Sequence, residues 1–255
     1  MRMGANPSGQ PISKRTGRLT ADCCLDQLSV LLEYQDPNMV HQERAHYCEM
    51  TNFPRMAVGV MGSAGGSIGK ATRKTLYDLG VEVARRGCVL VTGVAPGLPH
   101  DSVLGAKSEG GLVVGISPAL NFKEHVERYR SPTRGYDLIV YTGSGLMGRE
   151  IENIRSCDVV VIAGGRSGTL GEFAIAYDEA KLIGVLTGTG GIADHIDELL
   201  RVMNKETGAL IISDPDPVRL MDELERAYQE RILPRYLEML AGHNPDGELE
   251  ENHIR

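Results

Sequence analysis

Residues 145–173 read GLMGREIENIRSCDVVVIAGGRSGTLGEF. At the centre lies DVVVIA (158–163), a nearly unbroken apolar run rich in valine. A strand of that composition is buried on both faces, as in the interior of a parallel sheet. Residues 147–156 before it carry helical spacing. After it come Gly164, Gly165, Arg166, Ser167 and Gly168 as a turn, and a second helix is expected from Thr169. Helix, buried strand, glycine turn, helix is the repeating unit of a doubly wound α/β sheet.

The same unit recurs in both directions. Upstream lie MAVGVMG (56–62), a helix over 69–87, CVLVTG (88–93) and a helix near 100–109. In the first of those helices Leu76, Leu79, Val83 and Ala84 share one side. LVVGISP (112–118) and DLIVYTG (137–143) precede the central stretch. LIGVLTGTGG (182–191), a helix over 192–203, ALIISD (209–214) and a long helix from Pro217 follow it. This alternation predicts a mostly parallel, doubly wound, Rossmann-like α/β domain over residues 55–232. Ligands in such sheets bind at the carboxyl ends of the strands, at the switch point.

Residues 1–54 form an N-terminal extension outside the alternation. Arg2, Lys14, Arg15 and Arg18, with no acid, mark a mobile arm, and a helix is expected within 22–50. Residues 233–255 read as the end of a helix and an acidic tail, DGELEEN.

Composition narrows the function. At 255 residues, with 42% apolar and 24% charged, the chain is long and apolar enough for a sizeable core. A net charge of −7 and the absence of Trp make DNA an unlikely partner. No run of apolar residues is long enough to cross a membrane, and no apolar stretch follows the basic start. A cytoplasmic location follows as an expectation. The cysteine count of five is odd and lacks a CxxC pair, which suits a reducing compartment. Cys23, Cys24, His46 and Cys48 match no trusted zinc spacing, so neither metal nor cofactor is expected.

The loop GVMGSAGGSIGK (59–70) invites a phosphate-loop reading and fails it. Ala64 stands where the first glycine of a Walker A pattern is needed, and Ala71 follows Lys70 where a hydroxyl would hold magnesium. The dinucleotide fingerprint fails at Ala64 too, and the second strand ends without an acid for a ribose. Small residues before a helix remain: Gly62, Ser63 and Gly65 here, and Gly93 and Gly97 after the second strand. Such loops either let a ligand approach the backbone or make a tight turn. In the central stretch an anion would be favoured above Gly165 to Thr169, at a helix N-terminus. Glu172 has two readings: a site carboxylate, or the second half of a Thr169-x-x-Glu172 capping box. Arg149 has two as well: a site cation, or an ion-pair partner of Glu152 three residues on. Lys123, Arg128, Arg130 and Arg134, within 118–136, form either a basic lid or a solvated loop.

Met147-Gly148-Arg149 followed by GGRSGTLGE (164–172) resembles the Lonely Guy-type phosphoribohydrolases, whose pattern is Met-x-x-Arg-Lys and then PGGxGTxxE. The resemblance runs over about 55–203. It implies a Rossmann-like fold, a catalytic pair at Arg149 and Glu172, and phosphate contacts at Gly164, Gly165, Arg166, Ser167, Gly168 and Thr169. It also implies cleavage of the N-glycosidic bond of a nucleoside 5′-monophosphate, and a homodimer or dimer of dimers. Three positions depart from the pattern: Gly164 for Pro, Arg166 for Gly, and Glu150 for Lys. The second loop, TGVAPGLPHDSVLGA (92–106), looks more like that of the DNA-processing protein A family. The layout is also similar to molybdenum-cofactor carrier proteins, which implies the alternative of a non-catalytic carrier or sensor of a nucleotide or molybdopterin-type phosphate.

Overall fold

The computed structural model of the protein describes residues 54–241 and 243. The expected N-terminal arm, the helix within 22–50, the Cys23, Cys24, His46 and Cys48 set and the acidic tail lie outside them. Seven strands form one sheet: β1 (Ala57–Gly62), β2 (Val89–Thr92), β3 (Leu112–Ser117), β4 (Leu138–Tyr141), β5 (Val159–Ala163), β6 (Leu182–Leu186) and β7 (Leu210–Asp214). Their order is β4-β3-β2-β1-β5-β6-β7, and every neighbouring pair is parallel.

Helices cross over between the strands. They are α1 (Lys70–Arg85), α2 (Leu98–Ser108), α3 (Phe122–Glu127), α4 (Gly145–Arg155), α5 (Ser167–Asp178), α6 (Ile196–Met203), α7 (Pro217–Ala227) and α8 (Leu233–Leu240). A 3₁₀ turn, Gly191–His195, precedes α6, and a π-helical turn, Tyr228–Ile232, joins α7 to α8.

The continuous apolar character of β5 has a direct cause. Val159, Val161 and Ala163 enter a core layer with Leu76 and Leu79 of α1 and Leu220 and Leu224 of α7. Val160 and Ile162 enter the opposite layer with Ile154 of α4 and Phe173 of α5. Both faces are covered, so neither can be polar. Buried Cys88 and Cys157 serve as small apolar side chains, and burial pushes the Cys157 thiol up to about 12.

The chain leaves β1 toward β2 and leaves β5 toward β6, in opposite directions along the sheet. β1 and β5 are adjacent, and Gly62 pairs with Ala163 at their carboxyl ends. The loops that follow them diverge there and open a crevice.

Four local expectations are corrected. β6 stops at Leu186 rather than running to 191, because Gly188 and Gly190 take positive φ of 75° and 81° in the turn that follows. Segment 118–136 contains α3, started by Asn121, whose side chain accepts from the Glu124 N–H at 3.0 Å. None of the basic residues of that segment reaches the crevice. Arg128 pairs with Glu124, and Lys123 lies 3.9 Å from Glu127. Helix α5 opens at Ser167, two residues before the expected Thr169.

Candidate functional site

The crevice between β1 and β5 holds a cavity of about 330 Å³. Gly62, Ser63 and Ala64 line it from β1, Gly93 and Ala95 from the loop after β2, Arg149 and Glu150 from α4, and Arg166 to Thr169 with Glu172 from the start of α5. Gly62, Ser63, Gly93, Arg149, Arg166, Ser167, Gly168, Thr169 and Glu172 are thus brought together from four separate segments. Gly65, Gly97, Gly164 and Gly165 are not part of the lining.

Gly164 and Gly165 shape the turn instead of facing a ligand. The Gly164 N–H donates to Thr189 Oγ1 at 2.8 Å, and the Gly165 N–H donates to Ser63 Oγ at 2.7 Å. Their carbonyls accept from Ala193 and Ile192. Those N–H groups are therefore spent, which corrects the expectation that Gly165 offers one to a phosphate. Gly165 has φ of +97°, and an added Cβ would fall 2.4 Å from Thr169 Cβ, so only glycine fits. Ser63 fastens three loops, since its carbonyl also accepts from the Leu98 N–H at 2.9 Å.

The free donors lie one step further on. The first intrahelical bond of α5 runs from the Leu170 N–H to the Arg166 carbonyl at 2.9 Å. The N–H groups of Ser167, Gly168 and Thr169 precede it and have no helical partner. No side chain caps this helix. A helix N-terminus with free N–H groups facing a cavity favours an anion.

The capping-box reading of Glu172 is not what the structure holds. Thr169 is inside the helix rather than at its N-cap. Both Thr169 and Glu172 are buried, and the Glu172 carboxylate accepts from Arg149 Nη1 at 3.4 Å. Glu152, the other partner considered for Arg149, accepts instead from Ser144 Oγ at 2.7 Å.

Arg149 reaches the cavity because Gly93 has no side chain. A Cβ on Gly93 would lie 1.7 Å from Arg149 Nη1 and 2.5 Å from Cζ. The glycine that ends the second strand is a socket for a guanidinium. Arg149 Nε is buried with no hydrogen-bond partner. Its only ion pair among the described residues, at 3.4 Å, is longer than the usual 2.7–2.9 Å of a charge-assisted bond. An unsatisfied buried donor is costly, and such a cost beside a cavity marks a functional site.

Burial pushes the Glu172 carboxyl up to about 7; Arg149 opposes the shift and Glu150 adds to it. Burial also raises Glu150, again against Arg149. Glu150 stands where the resembling pattern has a lysine, and that departure is what the sequence offered for finding it as a lining residue. Ala64, one of the small residues of the loop after the first strand, also lines the cavity, as do Ala95 and Pro99, which carried no signal. Among the described residues no cluster of His, Cys, Asp and Glu could hold a metal ion. No helix among them is long and apolar enough to cross a membrane.

Residues 55–220 match the sequence profile of the SLOG cluster4 family. The chain belongs to this family. An uncharacterized protein of Archaeoglobus fulgidus is 33% identical over 132 residues, which is 51% of this chain and 80% of the relative. Among solved structures, TM1055 superposes with a TM-score of 0.59 at 27% identity, covering 67% of this chain and 99% of that one. The molybdenum cofactor binding protein of Rippkaea orientalis gives 0.56 at 28% identity, covering 69% and 99%. The molybdenum cofactor carrier protein of Chlamydomonas reinhardtii gives 0.56 at 24% identity, covering 69% and 100%, and shares the fold. The SLOG-type, Rossmann-like α/β ligand-binding fold stands on these matches together with the all-parallel sheet.

Proposed function

We propose that the protein binds a nucleoside 5′-monophosphate in this cavity and cleaves its N-glycosidic bond. The observation that carries the reading is the buried Arg149–Glu172 pair, open to a cavity beside a helix N-terminus with free N–H donors. The phosphate sits at Ser167, Gly168 and Thr169, with Arg166 at the rim. Breaking the C1′–N bond sends the electron pair to the base and leaves positive charge on the sugar ring. Ionised Glu172 faces that charge and takes a proton from the water that adds to C1′, as carboxylates do in glycosidases, and the proton then passes to the departing base. Arg149 holds the carboxylate in place through Nη1. Incubation with the common ribonucleoside monophosphates, followed by chromatography, tests this: free base and ribose 5-phosphate are the expected products.

A second reading, a non-catalytic carrier of a molybdopterin-type phosphate, is favoured by the likeness to the Rippkaea orientalis protein over nearly all its length. Tight binding of a pterin phosphate with no base release from any monophosphate would select it.

We also propose a homodimer. Leu146 and Met147 on α4 and Leu138 and Val140 on the edge strand β4 are all exposed, Met147 by 76%. A second copy covering them would place its seam two residues from Arg149. Light scattering at micromolar concentration is expected to give twice the chain mass, and a monomer would contradict it.

A further inference from the structure

Glu150 has no role in the chemistry proposed above, yet its placement is unusual. The residue is 8% exposed, and it lines the cavity. Its carboxylate takes part in no hydrogen bond and no ion pair within 4.0 Å among the described residues, although Arg149 acts on it electrostatically. Neither of its oxygens is sealed from the cavity, since the buried unpartnered atoms include Arg149 Nε and no atom of Glu150. A largely buried carboxylate without a donor is costly, and donors from a ligand remove that cost.

The neighbours of this carboxylate narrow the choice of donor. Oε1 lies 3.6 Å from the position of a Cβ on Gly168, and Oε2 lies 3.4 Å from that of a Cβ on Gly171. The carboxylate therefore rests on the first turn of α5, next to the N–H groups assigned to the phosphate. Its charge also acts on Glu172, the group assigned to the anomeric carbon. In a nucleotide, the piece between the phosphate and the anomeric carbon is the ribose. A base edge lies beyond the anomeric carbon. A carboxylate has two acceptor oxygens and suits two adjacent hydroxyl donors.

We propose that Glu150 is a specificity-determining residue that accepts hydrogen bonds from the vicinal 2′- and 3′-hydroxyls of a ribose, so that the cavity selects ribonucleotides over 2′-deoxyribonucleotides. The inference rests on the nucleotide reading of the same cavity. It does not depend on bond cleavage.

Calorimetry on the full chain tests it with AMP, 2′-deoxy-AMP and inorganic phosphate. Glu150→Ala and Glu150→Gln are compared with wild type, and melting curves verify folding. Wild type is expected to bind AMP at least about tenfold more tightly than 2′-deoxy-AMP, the loss typical of a charge-assisted hydrogen bond. Glu150→Ala should bring the two within about twofold while phosphate binding is kept or tightened, because a nearby negative charge is gone. Glu150→Gln, the closest replacement in shape, should give a preference between those two. Equal affinity of wild type for AMP and 2′-deoxy-AMP overturns the assignment, as does an undiminished preference in both variants. Equal affinity of wild type for the two nucleotides, with phosphate still bound, sinks Glu150 alone. No binding of phosphate or either nucleotide sinks the nucleotide reading and Glu150 with it.

Discussion

Two buried arginines differ in how fully they are paired. Arg86, 9% exposed, follows α1; Arg149, 7% exposed, lies in α4. Arg86 is saturated: it pairs with Glu82 on α1 and with Asp222 and Glu225 on α7, the last at 3.2 Å through Nε. Among the described residues Arg149 makes one pair at 3.4 Å, has no partner at Nε, and stands beside a carboxylate, Glu150, that makes no pair. Arg86 ties two helices together over one face of the sheet. Arg149 lies at the switch point. A complete ion cluster holds the fold, whereas an incomplete one at a cavity wall is held ready for a ligand.

The contrast is broken most directly by exchanging the consequences of losing each arginine. Arg149→Ala is expected to lower base release by at least about a hundredfold, as removal of a charge partner in a transition state does. Its melting curve should move little. Arg86→Ala should do the reverse, lowering stability by about 2 kcal/mol because it breaks the buried ion cluster that joins α1 to α7. Its base release per folded molecule should be unchanged. Denaturant unfolding and a product assay on both variants decide the matter, and like behaviour of the two would erase the distinction.

Next in size is the pH dependence of Glu172. The folded group titrates near 7 and the unfolded one near 4.5. Between those values the folded chain keeps a proton that the unfolded chain has lost. Stability therefore falls as pH rises through this window, by up to about 3 kcal/mol from this group. Glu172→Gln should flatten that slope in urea titrations from pH 4.5 to 8. Base release should rise over the same range and level off above about 7, since the ionised carboxylate is the active form.

Gly93→Ala sharpens the comparison at a smaller scale. The added methyl would overlap the Arg149 guanidinium, so activity should drop about tenfold with little loss of stability, seen as a change in kcat with the melting temperature held. Arg166→Gly is expected to have the smallest effect, a severalfold rise in hydrolysis, because Arg166 crowds the rim without a partner among the described residues.

The seven strands were legible because each is a short apolar run closed by glycine, proline or a polar turn. The strand order was not, because pairing of β1 with β5 depends on contacts a hundred residues apart. The α3 helix was hidden by its charge, which resembles loop composition until the Asn121 cap is seen. At the site, the lining position of Arg149, Glu172, Arg166, Ser167, Gly168 and Thr169 was readable from the motif, and that of Gly62, Ser63 and Gly93 from the small-residue loops after the first two strands. What was not readable is which glycine N–H groups are already used. Gly165 looks identical in sequence whether it faces a phosphate or Ser63. Gly93 carried no hint that its missing side chain is the socket for Arg149. Glu150 appeared only as a departure from a pattern, and its meaning comes from the cavity.

The most direct measurement compares free base released from a nucleoside monophosphate by wild type and by Glu172→Gln, with melting temperatures taken alongside. Gln keeps the shape and a hydrogen-bonding oxygen but cannot carry the charge that stabilises an oxocarbenium-like sugar. The account predicts an active wild type and a folded Gln variant at least about a hundredfold slower. A Gln variant as active as wild type, or a wild type that binds nucleotide and releases no base, would contradict it.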